Sequence, residues 1–319
     1  MLRRNPLFQK SALATGVVVV TAILVGVMTG DNDPVEPAQQ NAHSAANAES
    51  KLGAQTVSAW REFVAVNEAQ DEEEDESDEE IERSEPPPPP PPPDLKQLVD
   101  ETPEQWGEIV RGVRTGLDTE EKKIALTLDA CGGSYDRELL EYLDRHRVPA
   151  TLFVSGFWLN NHGETLAKLA DNPLFEIANH GLRHRPCSVT GKSALEIEGT
   201  TSVGEAHREI EENARRIEAI TGERTRFYRS GTAHYDEVCT TIAAETGHQV
   251  VGFDIVGDYG ASFNAAQVRD ALFEVEPGSI IVLHMNRPDG GTAEGVRKAL
   301  PTLREMGYEF VPLAEFPLR

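Results

Sequence analysis

His180 and His184 stand four residues apart in Asn179-His180-Gly181-Leu182-Arg183-His184, straight after the apolar run Leu174-Phe175-Glu176-Ile177. Neutral imidazoles bind zinc-like divalent ions, and two of them a turn apart reach one ion without straining the backbone. Their position after a strand-like run points to one metal held at a strand end. Four further ionisable residues end or follow apolar runs in the same way: Asp129, Arg229, Asp258 and His284. Singly, each has a plainer role as a helix cap, a salt-bridge partner or a core histidine. Five separate segments that each aim an ionisable group at a strand end describe a single site.

The elements that must position these residues alternate. Seven apolar segments read as buried strands: 123–129, 149–155, 174–179, 225–229, 249–254, 279–284 and 308–312. Charged, periodic stretches between them read as helices, namely 137–146, 205–220, 236–246 and 296–306. Ser202 and Glu205 have the spacing of a capping box, and Gly222 stands where a helix C-terminus needs a left-handed residue. Alternation of strand and helix implies a parallel sheet, and seven units over some two hundred residues imply a barrel rather than an open sheet. Barrel sites form at the C-terminal ends of strands, where the ionisable residues gather.

The rest of the 319-residue chain has other properties. Net charge is −24 with no basic stripe, which argues against nucleic acid as a partner. Arg3, Arg4 and Lys10 precede an uncharged run from Ser11 to Gly30, long enough for a bilayer-spanning helix with a cytoplasmic N-terminus. A cleaved signal peptide is the rival reading. Residues 31–93 are polar, with an acidic run 71–80 and eight consecutive prolines, Pro86 to Pro93. That composition cannot bury enough apolar area to offset its ordering entropy, so a disordered linker is expected, ending in a polyproline rod of about 25 Å. The expected organisation is an anchor or signal over 1–30, a linker over 31–93, a helical lead-in over 94–121 and a folded domain over 122–319. The lipid bilayer is the expected partner of the first segment, with the folded domain held outside the cytoplasm.

The folded part resembles the NodB-type polysaccharide deacetylases, carbohydrate esterase family 4. The resemblance is carried by Thr127-Leu128-Asp129-Ala130-Cys131-Gly132-Gly133, the His180-to-His184 loop, Phe227-Tyr228-Arg229-Ser230-Gly231, Asp258-Tyr259-Gly260 and Ile281-Val282-Leu283-His284, in the family's order. Pro149-Ala150-Thr151-Leu152-Phe153-Val154 also looks like the family's second strand. It implies a distorted (β/α)7 barrel of NodB type and metal-assisted removal of N-acetyl groups from an amino-sugar polysaccharide. An amide carbonyl is a poor electrophile, so the reaction needs a Lewis acid, an activated water and an acid for the leaving amine. By the resemblance Asp129 is the base, oriented by Arg229. His284, on the opposite side of the mouth, is the acid, supported by Asp258. His180 and His184 hold a divalent metal, zinc first and cobalt or nickel after it.

The chain departs from the family at Ala130, where a second aspartate ordinarily supplies the third metal ligand. Three outcomes stay open: Asp129 or waters complete the coordination; Cys131 supplies a thiolate; or no metal binds and the domain only holds glycan. Ser230-Gly231 stands where prolines are usual, and Tyr259 where tryptophan is usual. Cys131 and Cys187 flank the metal motifs and are expected to pair in an oxidising compartment. Cys239, on an apolar helical face, is then expected to be a buried free thiol.

Overall fold

The longest strand, β2 (Lys123–Ala130), is buried along nearly its whole length, as Ile-Ala-Leu-Thr-Leu between two covered faces requires. The computed structural model describes residues 95–319. The expected anchor and linker over 1–93 lie outside the described residues. Among the described residues no helix is long and apolar enough to cross a membrane.

Eight further strands are β1 (Val113–Arg114), β3 (Ala150–Val154), β4 (Phe175–Asn179), β5 (Phe227–Tyr228), β6 (Gln249–Val251), β7 (Ile255–Val256), β8 (Ile280–His284) and β9 (Glu309–Phe310). Six helices accompany them: α1 (Arg137–Arg145), α2 (Gly156–Ala170), α3 (Val203–Thr221), α4 (Glu237–Glu245), α5 (Ala265–Leu272) and α6 (Thr292–Glu305). The strand order is β1-β6-β5-β4-β3-β2-β8-β7, with β9 added to the start of β2, and every pairing is parallel. The expected parallel α/β architecture is therefore present, but the ladder does not close. β1 and β7 are its two ends, and residues 252–254 carry the chain from β6 near one end to β7 at the other. The strand expected over 249–254 for this reason stops at Val251, and a separate short strand forms beyond it at Ile255–Val256.

Alternation along β2 separates two layers. Ile124, Leu126, Leu128 and Ala130 pack outward against Leu139, Leu143, Trp158, Val296 and Leu300 of the helices. Ala125 faces inward with Phe153, Ala178, Phe227, Val251 and Ile280. Above this inner apolar floor the same face turns polar, with Thr127, Asp129 and the free, buried Cys131.

Three further features depart from the expected elements. The helical lead-in is a short 3-10 turn, Leu95–Leu98, followed by irregular chain and β1. Pro103 cannot continue a helix, and Gly107 and Gly112 take φ values of 148° and 100° that lie outside it. The helices α2 and α5 were not legible in the sequence: α2 opens with Gly-Phe-Trp-Leu, an apolar continuation of β3, and α5 has only eight residues. Each has its cap, Ser155 accepting from the Trp158 N–H and Asn264 sharing a capping box with Gln267.

The third correction is the disulfide, which joins Cys187 to Cys239 and not Cys131 to Cys187. Both partners are fully buried in the apolar cluster of Ile210, Tyr235 and Val238, outside the sheet, whereas alternation holds Cys131 inside it. The bridge pins the chain just after His184 to α4.

Candidate active site

Arg229 ends the β5 segment and lies fully buried inside the sheet. Its guanidinium donates to the Asp129 carboxylate at 2.7 Å and to the Thr127 hydroxyl at 2.9 Å. Nε and Nη2 donate to the carbonyls of Val251 and Gly252, both at 3.0 Å. Those carbonyls lie where the β6 ladder ends, so the guanidinium satisfies backbone groups that no neighbouring strand reaches. The ring of Phe153 covers the cation at 4.2 Å. Burial raises the Asp129 pKa, but the charges of Arg229, His180 and His284 outweigh it and hold the carboxyl below its ordinary value.

His284 is not across the mouth from Asp129 but beside it, because the two are register partners on β8 and β2. Asp258, following β7, accepts from His284 Nδ1 at 2.8 Å and from the His284 backbone N–H at 2.7 Å. Thr292, at the start of α6, donates to the same carboxylate at 2.9 Å. Burial lowers the His284 pKa, but Asp258 more than offsets this and raises it well above the ordinary imidazole value. The Nδ1–H bond leaves Nε2 facing away from Asp258, toward the mouth.

The histidine loop is held from beneath. Asn179 accepts from the Gly181 N–H at 2.9 Å and from Asn213 of α3 at 2.7 Å. Glu209, buried on α3, accepts from the backbone N–H groups of Arg183 at 2.9 Å and Arg185 at 3.2 Å. Its own desolvation is opposed by these bonds, and its pKa still rises to about 7. His184 itself sits in the left-handed region at φ 55°. Neither Glu209 nor Thr292 was singled out in the sequence, since a Glu in an amphipathic helix ordinarily faces solvent.

His180 Nδ1 donates to the Arg229 carbonyl at 3.0 Å, which turns Nε2 inward, 3.7 Å from both Asp129 Oδ2 and Cys131 Sγ. The His180 and His184 rings lie edge to face with centroids 4.8 Å apart. Burial favours the neutral form of both; at His180 the charges of Asp129 and Cys131 outweigh it, and at His184 burial prevails. Burial also raises the Cys131 thiol, yet His184, together with hydrogen bonds to His180 and His284, brings it well below a free thiol. Two buried imidazoles, one with its tautomer set by a carbonyl, suit a divalent cation. Residues Asp129, His184, His284 and Thr232 line one cavity of about 350 Å³, rimmed by the exposed Leu195 and Tyr259. A second cavity of about 780 Å³ adjoins it and shares Asn286 and Arg287. All six residues singled out in the sequence thus converge on one region.

Part of this chain is similar to known proteins. Residues 116–251 match the polysaccharide deacetylase family model. Peptidoglycan-N-acetylmuramic acid deacetylase PdaA of Bacillus subtilis is 26% identical over 199 residues, covering 60% of this chain and 70% of that protein. A bifunctional xylanase/deacetylase of Pseudobutyrivibrio xylanivorans is 25% identical over 206 residues, 64% of this chain, and the chain spans only 32% of that protein's length. A carbohydrate esterase family 4 pseudoenzyme from Bacillus anthracis superposes with a TM-score of 0.56 at 20% identity, covering 65% of this chain and 69% of that one, a likeness of fold. The polysaccharide deacetylase match over residues 116–251 spans the strands and loops that carry Asp129, His180, His184 and Arg229, and it is to this family that the folded part of the chain is similar.

Proposed function

We propose that this domain is a metal-dependent hydrolase that removes N-acetyl groups from an amino-sugar polysaccharide, with peptidoglycan or a related envelope glycan as substrate. The observation that carries the reading is the pair of supported ionisable groups on neighbouring strands: Asp129 on Arg229, and His284 on Asp258. One is kept anionic and the other protonated, the division of labour that amide hydrolysis requires.

His180 and His184 would hold the divalent cation, zinc or in its place cobalt or nickel. When bound, the cation supplies Lewis acidity toward the amide carbonyl and the attacking water. Asp129 takes the proton of that water, and Arg229 keeps the carboxylate in place and charged. His284 gives its Nε2 proton to the departing amine, while Asp258 fixes the ring and stabilises the imidazolium. Acetate and a free amino sugar are the products. Leu195 and Tyr259 offer exposed apolar faces on which a sugar ring can rest, and the adjoining cavity leaves room for a neighbouring sugar.

The apolar segment 11–30 would hold the domain at a membrane, outside the cytoplasm. A disulfide in the folded domain fits that oxidising location. Supplied with zinc, the full chain should release acetate from peptidoglycan and from N-acetylglucosamine oligomers, and Asp129→Asn and His284→Ala should abolish it. Ala130 motivates the second reading, a glycan-binding domain without catalysis. Tight glycan binding with no acetate release from any such substrate would establish that reading instead.

A further inference from the structure

At position 130, where the family's carboxylate ligand is expected, the Ala130 methyl is fully buried in the outer apolar layer with Leu128, Leu139 and Trp158. That direction leads away from the histidines. The next residue along the strand points the other way, and Cys131 therefore shares the inner face with Asp129. Its backbone is held there by Ser155, whose hydroxyl donates to the Cys131 carbonyl at 2.7 Å. The Cys131 sulfur and the ligand nitrogens of His180 and His184 all lie within 4.8 Å of one another, and Sγ is 3.7 Å from His180 Nε2. Two donors on one tetrahedral zinc, at about 2.05 Å for nitrogen and 2.3 Å for sulfur, stand about 3.5 Å apart. The arrangement closes on an ion with small side-chain adjustments. Asp129 is less available, since one carboxylate oxygen already accepts from Arg229.

We propose that Cys131 supplies the third protein ligand, making a two-histidine, one-thiolate centre in place of the family's two-histidine, one-carboxylate centre. Binding forms a sulfur–metal bond, displaces one water from the ion and releases the thiol proton to solvent, with no change of oxidation state. A thiolate favours zinc and cobalt over magnesium and manganese, so the exchange narrows the choice of metal. The proposal rests on the reading of His180 and His184 as metal ligands and not on catalysis.

The chain has three cysteines, and two are joined to each other, so any thiolate–metal signal reports Cys131 alone. Cobalt(II) titrated into the metal-free full chain should bind at about one ion per chain with an intense near-ultraviolet sulfur-to-cobalt charge-transfer band. Cys131→Ser should lose that band and bind on the order of a hundredfold more weakly. Cys131→Asp, which restores a carboxylate, should bind cobalt without the band and guards against loss of fold in the serine variant. Cobalt binding by the unaltered chain without the band, or equal affinity in Cys131→Ser, overturns the proposal. No binding at all overturns it together with the histidine metal site. Binding with the band but no acetate release leaves the thiolate centre standing and defeats only the hydrolase reading.

Discussion

Gly231 lies flat against the backbone of His184: a Cβ built at 231 would stand 2.3 Å from both the carbonyl carbon and the carbonyl oxygen of His184. The segment that delivers Arg229 and the loop that delivers the second histidine are thus packed main chain to main chain. Gly231→Ala should push His184 off its position, at a cost of about 1–3 kcal/mol. Metal affinity measured by competition with a chelator should fall by roughly tenfold or more, with the far-ultraviolet circular dichroism unchanged.

Arg229 and Asp129 form a buried ion pair, so they are coupled in stability. Arg229→Met leaves an uncompensated carboxylate and the Val251 and Gly252 carbonyls without their donor, and should cost about 3–5 kcal/mol in urea unfolding. Combining it with Asp129→Asn should recover part of that loss. Additive losses would mean that the pair is not coupled.

With His284 as the proposed acid, its pairing with Asp258 predicts an alkaline limit for activity. Because Asp258 raises the His284 pKa, the proton is present through neutral pH, and activity should decline only as pH rises through that elevated value. The stability from the pair follows the same sign: fully present below the ordinary imidazole value, lost as pH climbs through the folded one. Asp258→Asn should move the alkaline limb of kcat down by about one to three pH units.

Glu209 carries a cost of opposite interest. With its pKa raised to about 7, the buried carboxylate destabilises the fold above that pH, and the penalty is relieved as pH falls toward the ordinary carboxyl range. Glu209→Gln keeps an acceptor for the Arg183 and Arg185 N–H groups while removing the charge. Urea midpoints should show it more stable than the parent at pH 8, by at most on the order of 3 kcal/mol, and nearly equal at pH 5.

The Cys187–Cys239 bridge closes a loop with a sequence separation of 52. Replacing both cysteines by serine should lower stability by about 4 kcal/mol in the chain-entropy account. Under denaturing, non-reducing conditions mass spectrometry should find one alkylated thiol, on Cys131. Alkylation at Cys187 would contradict the pairing.

By itself the sequence determined the alternation of strand and helix, because a parallel sheet covered on both faces needs continuous apolar runs and amphipathic stretches between them. The same runs placed Asp129, His180, Arg229, Asp258 and His284 at strand ends, since ionisable residues cannot lie within those buried segments unpaired. What only the tertiary structure decided is direction and neighbourhood. A local pattern does not say that β2 pairs with β8, which puts His284 beside Asp129 and not opposite it. Nor does it say that Cys187 turns outward to meet Cys239 while Cys131 turns inward toward His180, although strand alternation and loop packing settle both. Ala130 read in sequence as a missing ligand. In the fold it belongs to the helix-facing layer, and Cys131 occupies the inner face, because successive side chains on a strand point to opposite sides.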